Sequence, residues 1–223
     1  MAPNRNEKLG FGKLFWLLAA VCGLSVAAHL AFYPALPDIV PSHWGMNGEV
    51  NGWAPKWAAL LLDLLPLALL LGMQFLPNID PRQDSYRKSG KVWPIFQVSF
   101  TLFMTAVTWM TELSAFGLLG GGSISLFVCW GIGALFLALG NYMPQVRQNY
   151  TFGVKTPWAL ADAHNWQRSQ RMGGIVFTAA GAYTLVVPLF SLPAAFIGML
   201  VLILGGTAWL YLYSYLVYAG KLK

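Results

Sequence analysis

Apolar residues in this chain come in long unbroken runs, separated by short polar clusters. A bilayer-crossing helix needs roughly 17–25 such residues. Six runs qualify: Phe11–Tyr33, Trp57–Leu76, Val92–Phe116, Ile124–Met143, Gly173–Leu189 and Leu192–Tyr218. The runs lack the period-two alternation of barrel strands, so the predicted fold is an all-α integral membrane protein, a bundle of six transmembrane helices. They fill most of the chain, and residues 1–223 are read as one membrane domain. Helices 1 and 2 occupy 11–76 around a loop at 34–56, helices 3 and 4 occupy 92–143, a polar loop fills 144–172, and helices 5 and 6 occupy 173–219.

Composition supports the pattern. The chain is 57% hydrophobic and 10% charged, against about 25% charged in soluble domains. The first run follows Arg5, Lys8 and Lys13 but is long for a signal peptide and lacks a small-residue cleavage site, so it is read as an uncleaved helix. Cys22 and Cys129 fall inside apolar runs and offer no disulfide framework. The net charge of +6 is a topology signal: thirteen of fourteen Lys and Arg lie on alternate segments, with Lys56 the exception. The positive-inside rule then puts both termini in the cytoplasm and the 34–56 loop outside. The same distribution argues against a direct nucleic-acid partner.

The external loop holds "PSHWGMNGEVNGW", residues 41–53. Pro34, Pro37 and Pro41 take the chain out of helix 1. Two Asn-Gly pairs predict tight turns, with only Glu49 and Val50 between them, too few for a normal hairpin. A compact loop on the membrane surface is expected, with Trp44, Trp53 and Trp57 at headgroup level. His29 lies roughly 6 Å below the outer end of helix 1 and Asp63 roughly 9 Å into helix 2, with Glu112 near the outer end of helix 3. Ionisable residues inside spans are expensive and face a bundle interior or a wet cavity. A polar ligand pocket is therefore expected from His43, Trp44, Asn47, Glu49, His29, Asp63 and Glu112. His29, His43 and Glu49 are candidate ligands for a divalent metal, the one cofactor the residues suggest. Plain solvation of His43 and Glu49 is the alternative.

The other informative stretch, Gly140 to Gly174, reads "GNYMPQVRQNYTFGVKTPWALADAHNWQRSQRMGG". Thr156 can cap a short helix with Pro157 in its first turn, running to about Arg171. Trp158, Ala161 and Trp166 would lie toward the headgroups, either as an anchor or as a docking surface. Gly174, Thr178 and Ala182 in helix 5, and Gly198, Gly205 and Gly206 in helix 6, are read as packing positions.

Together, "LPDIVPSHWGMNGEVNGWAPK" and the 140–174 stretch resemble the SdpI family of bacterial membrane immunity proteins. The first resembles a small domain of unknown function common in that family. The second carries the family's signature at Gly140, Asn141, Asn149, Gly153, Lys155, Thr156, Pro157, Trp158, Leu160 and Trp166. Lys155 stands where arginine is common, and Gln170 where histidine is expected. The resemblance implies a six-helix protein of the bacterial cell membrane, not an enzyme, that protects its host from a secreted peptide toxin. It also implies recruitment of a small cytoplasmic transcriptional repressor, for which Asn141, Asn149, Lys155, Thr156, Pro157, Trp158, Trp166 and Arg168 are candidate contacts. Two rival classes remain: an ion- or proton-coupled transporter using His29, Asp63 and Glu112, and a membrane metalloenzyme with Glu49 as general base. No nucleotide loop or nucleophile motif is present.

Overall fold

The computed structural model describes residues 12–222. Arg5, Lys8, Phe11 and Lys223 lie outside the described residues. In chain order come α1 Lys13–Phe32, β1 Ile39–Trp44, β2 Val50–Pro55, α2 Lys56–Asp63, α3 Leu65–Ile79, α4 Asp84–Lys88, α5 Val92–Ala115 and α6 Gly121–Tyr142; α7 Pro157–Ala161, α8 Ala163–Val186 and α9 Leu192–Tyr218 complete it. Six helical segments are long and apolar enough to span a membrane: Lys13–Ala35, Lys56–Ile79, Val92–Ala115, Gly121–Gln145, Ala163–Leu189 and Leu192–Tyr218. The protein is a multi-pass membrane protein. Large apolar side chains such as Leu24 and Leu204 point outward, 72% and 62% exposed, as lipid-facing positions do.

Three departures from the sequence pattern have local causes. The second span is two helices, broken at Leu64. Pro66 has no N–H for the Leu62 carbonyl, and its ring crowds that turn; Asp63 consequently ends α2. The loop at 39–55 is a β-hairpin after all. Its turn spans Gly45–Glu49 and includes the first Asn-Gly pair, as predicted, closed by Gly45 N–H to the Glu49 carbonyl at 2.8 Å. Gly48 takes φ +81° in that turn, whereas Asn51-Gly52 lies within β2, where Gly52 lets His43 cross closely.

The third departure is the fifth span. It begins at Ala163, ten residues before the apolar run, because Asp162 breaks the anticipated amphipathic helix and caps α8 through the Asn165 N–H at 2.7 Å. One face of the first two turns of α8 is polar yet buried: Asn165, Ser169 and Gln170 are fully covered. Trp166, expected among the headgroups, is also buried, its indole N–H donating to the Val146 carbonyl at 2.8 Å.

Helices α6 and α8 make the closest crossing. A Cβ on Gly140 would fall 2.8 Å from the Gly174 carbonyl oxygen, and one on Gly181 the same distance from that of Gly133. Thr178 joins this seam, while Ala182 is exposed and takes no part. In α9, Gly198 admits the Tyr183 hydroxyl and Gly206 admits Val176; Gly205 faces open space.

Candidate functional site

The hairpin joins the first two spans and sits on a small core of Leu36, Val40 and Ala59, with Tyr33 and Ala115 against it. Lys56 closes its base, pairing with Asp38 at 3.1 Å and donating to the Leu36 carbonyl at 3.3 Å. The tip rests on the start of α6 so tightly that a Cβ on Gly121 would coincide with the Gly48 carbonyl oxygen. The glycine-rich "GGGS" segment is thus a seat for the hairpin. On the outer surface, His43 Nδ1 meets Asn51 Oδ1 at 2.5 Å. His43, Asn47 and Glu49 are exposed and Trp44 is half-buried. Trp53 and Trp57, 62% and 58% exposed, ring the base.

Ala59 and Ala115, under the hairpin, stand about one helical turn from Asp63 and Glu112. These two carboxylates flank His29, with Asp63 Oδ1 at 3.4 Å from Nε2 and Glu112 Oε1 at 3.2 Å from Nδ1. All three residues are buried. The imidazole stacks on Trp109 at 3.9 Å between centroids, and Trp109 donates to Ser25 at 2.9 Å. Thr108 Oγ1 lies 3.5 Å from Nε2. The three ionisable groups predicted on three spans do converge. His43 and Glu49 do not join them: among the described residues, the ligand-capable cluster is His29, Asp63 and Glu112, with one donor atom from each within 4.8 Å of the others. The physical reason is the hairpin, which commits His43 to Asn51 across the strands and turns Glu49 outward.

The opposite end is organised by residues 80–91 and 144–171. Asn149 accepts from the Thr151 and Phe152 N–H groups at 2.9 and 2.7 Å, folding the chain back. Gly153 takes φ +108°, with Gln170 where its Cβ would be. Thr156 caps α7 through the Ala159 N–H at 3.1 Å and also bonds Ser214. Asn165 then donates to the Ser214 carbonyl and accepts from its hydroxyl, both at 2.8 Å. Asn149, Thr156 and Trp166 are each about 98% covered, so they shape the loop and do not form its surface. Lys155 is exposed but holds the Thr151 carbonyl at 2.8 Å. Asn141 and Pro157 are exposed, Trp158 packs edge-on to Tyr211 and tilted against Tyr215, and Arg168 lies over Tyr213.

Sequence reasoning missed Asp80. It accepts from the Arg82 N–H, Tyr86 hydroxyl, Tyr150 N–H and Thr151 hydroxyl at 2.8–3.1 Å, tying one loop to the other. Burial pushes its carboxyl up, but the bonds from Arg82, Thr151, Tyr150 and Tyr86 outweigh burial and hold it below the usual range. Burial, with Asp80 alongside, pushes Tyr86 up to about 12. Asp80, just past the apolar run and ahead of the polar stretch "PRQDSYRK", was the available signal.

The two ends correspond to two family models. Residues 20–67 match a domain of unknown function (DUF1648), and residues 145–214 match the SdpI/YfhL protein family. The SdpI-family resemblance holds. The immunity protein SdpI of Bacillus subtilis (strain 168) is 25% identical over 184 residues, covering 82% of this chain and 85% of that protein. No solved structure matches. The SdpI signature in this chain is largely a folding signature: asparagine for the turn, glycine for φ, threonine and proline for the α7 start, and tryptophan for the Val146 carbonyl.

Proposed function

We propose that this chain is a membrane immunity protein that confers resistance to a secreted peptide toxin, recognised at the hairpin face outside the cell. The observation carrying this reading is the hairpin itself: a short sheet fixed on the first, second, third and fourth spans, with His43, Asn47 and Glu49 presented to solvent. The similarity to an immunity protein across both ends of the chain supports it. The alternating distribution of Lys and Arg supports the orientation, with both termini and the 144–172 loop cytoplasmic. The chain acts as one membrane domain. The exposed rim of the cytoplasmic loop, Tyr150, Lys155 and Pro157, is the surface open to a small repressor. Expression in a toxin-sensitive bacterium tests the reading: survival should rise with the wild-type chain and fall with His43→Ala plus Glu49→Ala at equal membrane abundance. Equal killing with and without the wild-type chain would refute it.

One observation favours ion- or proton-coupled transport as a second reading. Gln97, Thr101, Thr105, Thr108 and Glu112 form a buried polar stripe along α5, leading inward from the triad. Flux into proteoliposomes that disappears in Asp63→Asn would select it.

A further inference from the structure

The His29–Asp63–Glu112 cluster is odd for an ion-pair network. Each residue keeps one buried side-chain atom without a hydrogen bond: His29 Nδ1, Asp63 Oδ1 and Glu112 Oε2. An unsatisfied buried polar atom costs about 1–3 kcal/mol, more when charged. Three in one spot need a common explanation. The approaches at 3.2 and 3.4 Å bring opposite groups together without aligned hydrogen bonds. Among the described residues, no lysine or arginine pairs with either carboxylate.

We propose that His29, Asp63 and Glu112 form a binding site for a divalent transition-metal ion of the zinc class. The donor set is one imidazole nitrogen and two carboxylate oxygens, each on a different span. Tetrahedral ligands at about 2.0–2.2 Å from zinc lie about 3.3–3.6 Å apart. The donor atoms here, all within 4.8 Å of one another, reach that spacing by a contraction of roughly an ångström. Two carboxylates and a neutral imidazole carry two negative charges, which a divalent cation cancels in a buried setting. The ring is already oriented: Trp109 stacks on one face and Thr108 lies beside Nε2, which leaves the unpartnered Nδ1 to ligate while the other ring nitrogen has a polar neighbour. Three protein donors leave a fourth position for water or an incoming ligand.

The hairpin core covers this site, with Ala59 and Ala115 beneath Val40. A metal here ties α1, α2 and α5 together directly under the surface offered to the toxin. The inference concerns the metal alone and stands whether or not the chain confers immunity.

The test uses the full chain purified in detergent, stripped with a chelator and reloaded with Zn²⁺ or Co²⁺. Wild type should retain about one equivalent of zinc after desalting, in the stoichiometry of a three-residue site. Its cobalt form should show the visible absorption of a low-coordinate site, and its melting midpoint should rise with Zn²⁺. His29→Gln, Asp63→Asn and Glu112→Gln should each bind at least about tenfold more weakly, while His43→Ala and His164→Ala bind as wild type. The comparison of wild type with and without Zn²⁺ needs no variant to fold. No retained metal and no change in melting would overturn the proposal, as would unchanged binding in His29→Gln and Glu112→Gln.

Discussion

Gln170 hydrogen-bonds both backbone groups of Val154, accepting from its N–H at 3.1 Å and donating to its carbonyl at 3.0 Å. A side-chain amide thereby stands in for a neighbouring strand and holds the loop against α8. Gln170→Leu leaves two part-buried backbone groups unpaired and should destabilise the protein by about 1–3 kcal/mol. Thermal melting in detergent, together with protease cleavage after Tyr150 or Lys155, would measure it.

Asp80 makes the docking of its loop pH-dependent. Its carboxyl is held below the ordinary range in the folded protein, so its contribution is fully present above the unfolded value near 3.9. The contribution is lost as pH falls through the lower folded value. Exchange of the Tyr150 amide, bonded to Asp80 at 2.9 Å and measured relative to its intrinsic rate at each pH, should therefore accelerate below about pH 4 and not between pH 5 and 8. In Asp80→Asn it should be faster throughout and lose that dependence.

Hairpin seating depends on backbone contact. Gly121→Ala places a methyl group on the Gly48 carbonyl, and Gly48→Ala adds strain at φ +81°. Each should cost about 1–3 kcal/mol and increase labelling of Trp44, whose indole nitrogen is buried. Gly205→Ala, facing open space, is the matched control and should melt within about 0.5 kcal/mol of wild type.

His43 separates stability from recognition. Its bond to Asn51 is exposed, so His43→Ala should cost no more than about 1 kcal/mol. A large loss of protection from toxin in that variant, with melting nearly unchanged, would assign His43 to contact.

The six spans were legible because apolar runs of bilayer length have few other uses in a chain. The triad was legible too, since His29, Asp63 and Glu112 were each too costly to leave facing lipid. What hid from the pattern was polar burial. Asn165, Ser169 and Gln170 fell in a helix expected at the headgroup interface because hydropathy cannot see partners, and Ser214 and Val154 are distant in sequence. The hairpin hid behind its Asn-Gly pairs, which suggested turns where one pair continues a strand. Asp80 hid because the partners that tie its loop to the other, Tyr150 and Thr151, lie some seventy residues away.

The glycine seam between α6 and α8 has a mechanical meaning. At one end α6 carries the hairpin tip on Gly121; at the other, α8 grips the 144–156 loop through Trp166 and Gln170. Between them, backbone approaches backbone at Gly133–Gly181 and Gly140–Gly174, with Leu185 and Leu137 packed alongside. The two membrane faces are joined by a stiff strut, so a tilt imposed at the hairpin has a short route to the loop across the bilayer.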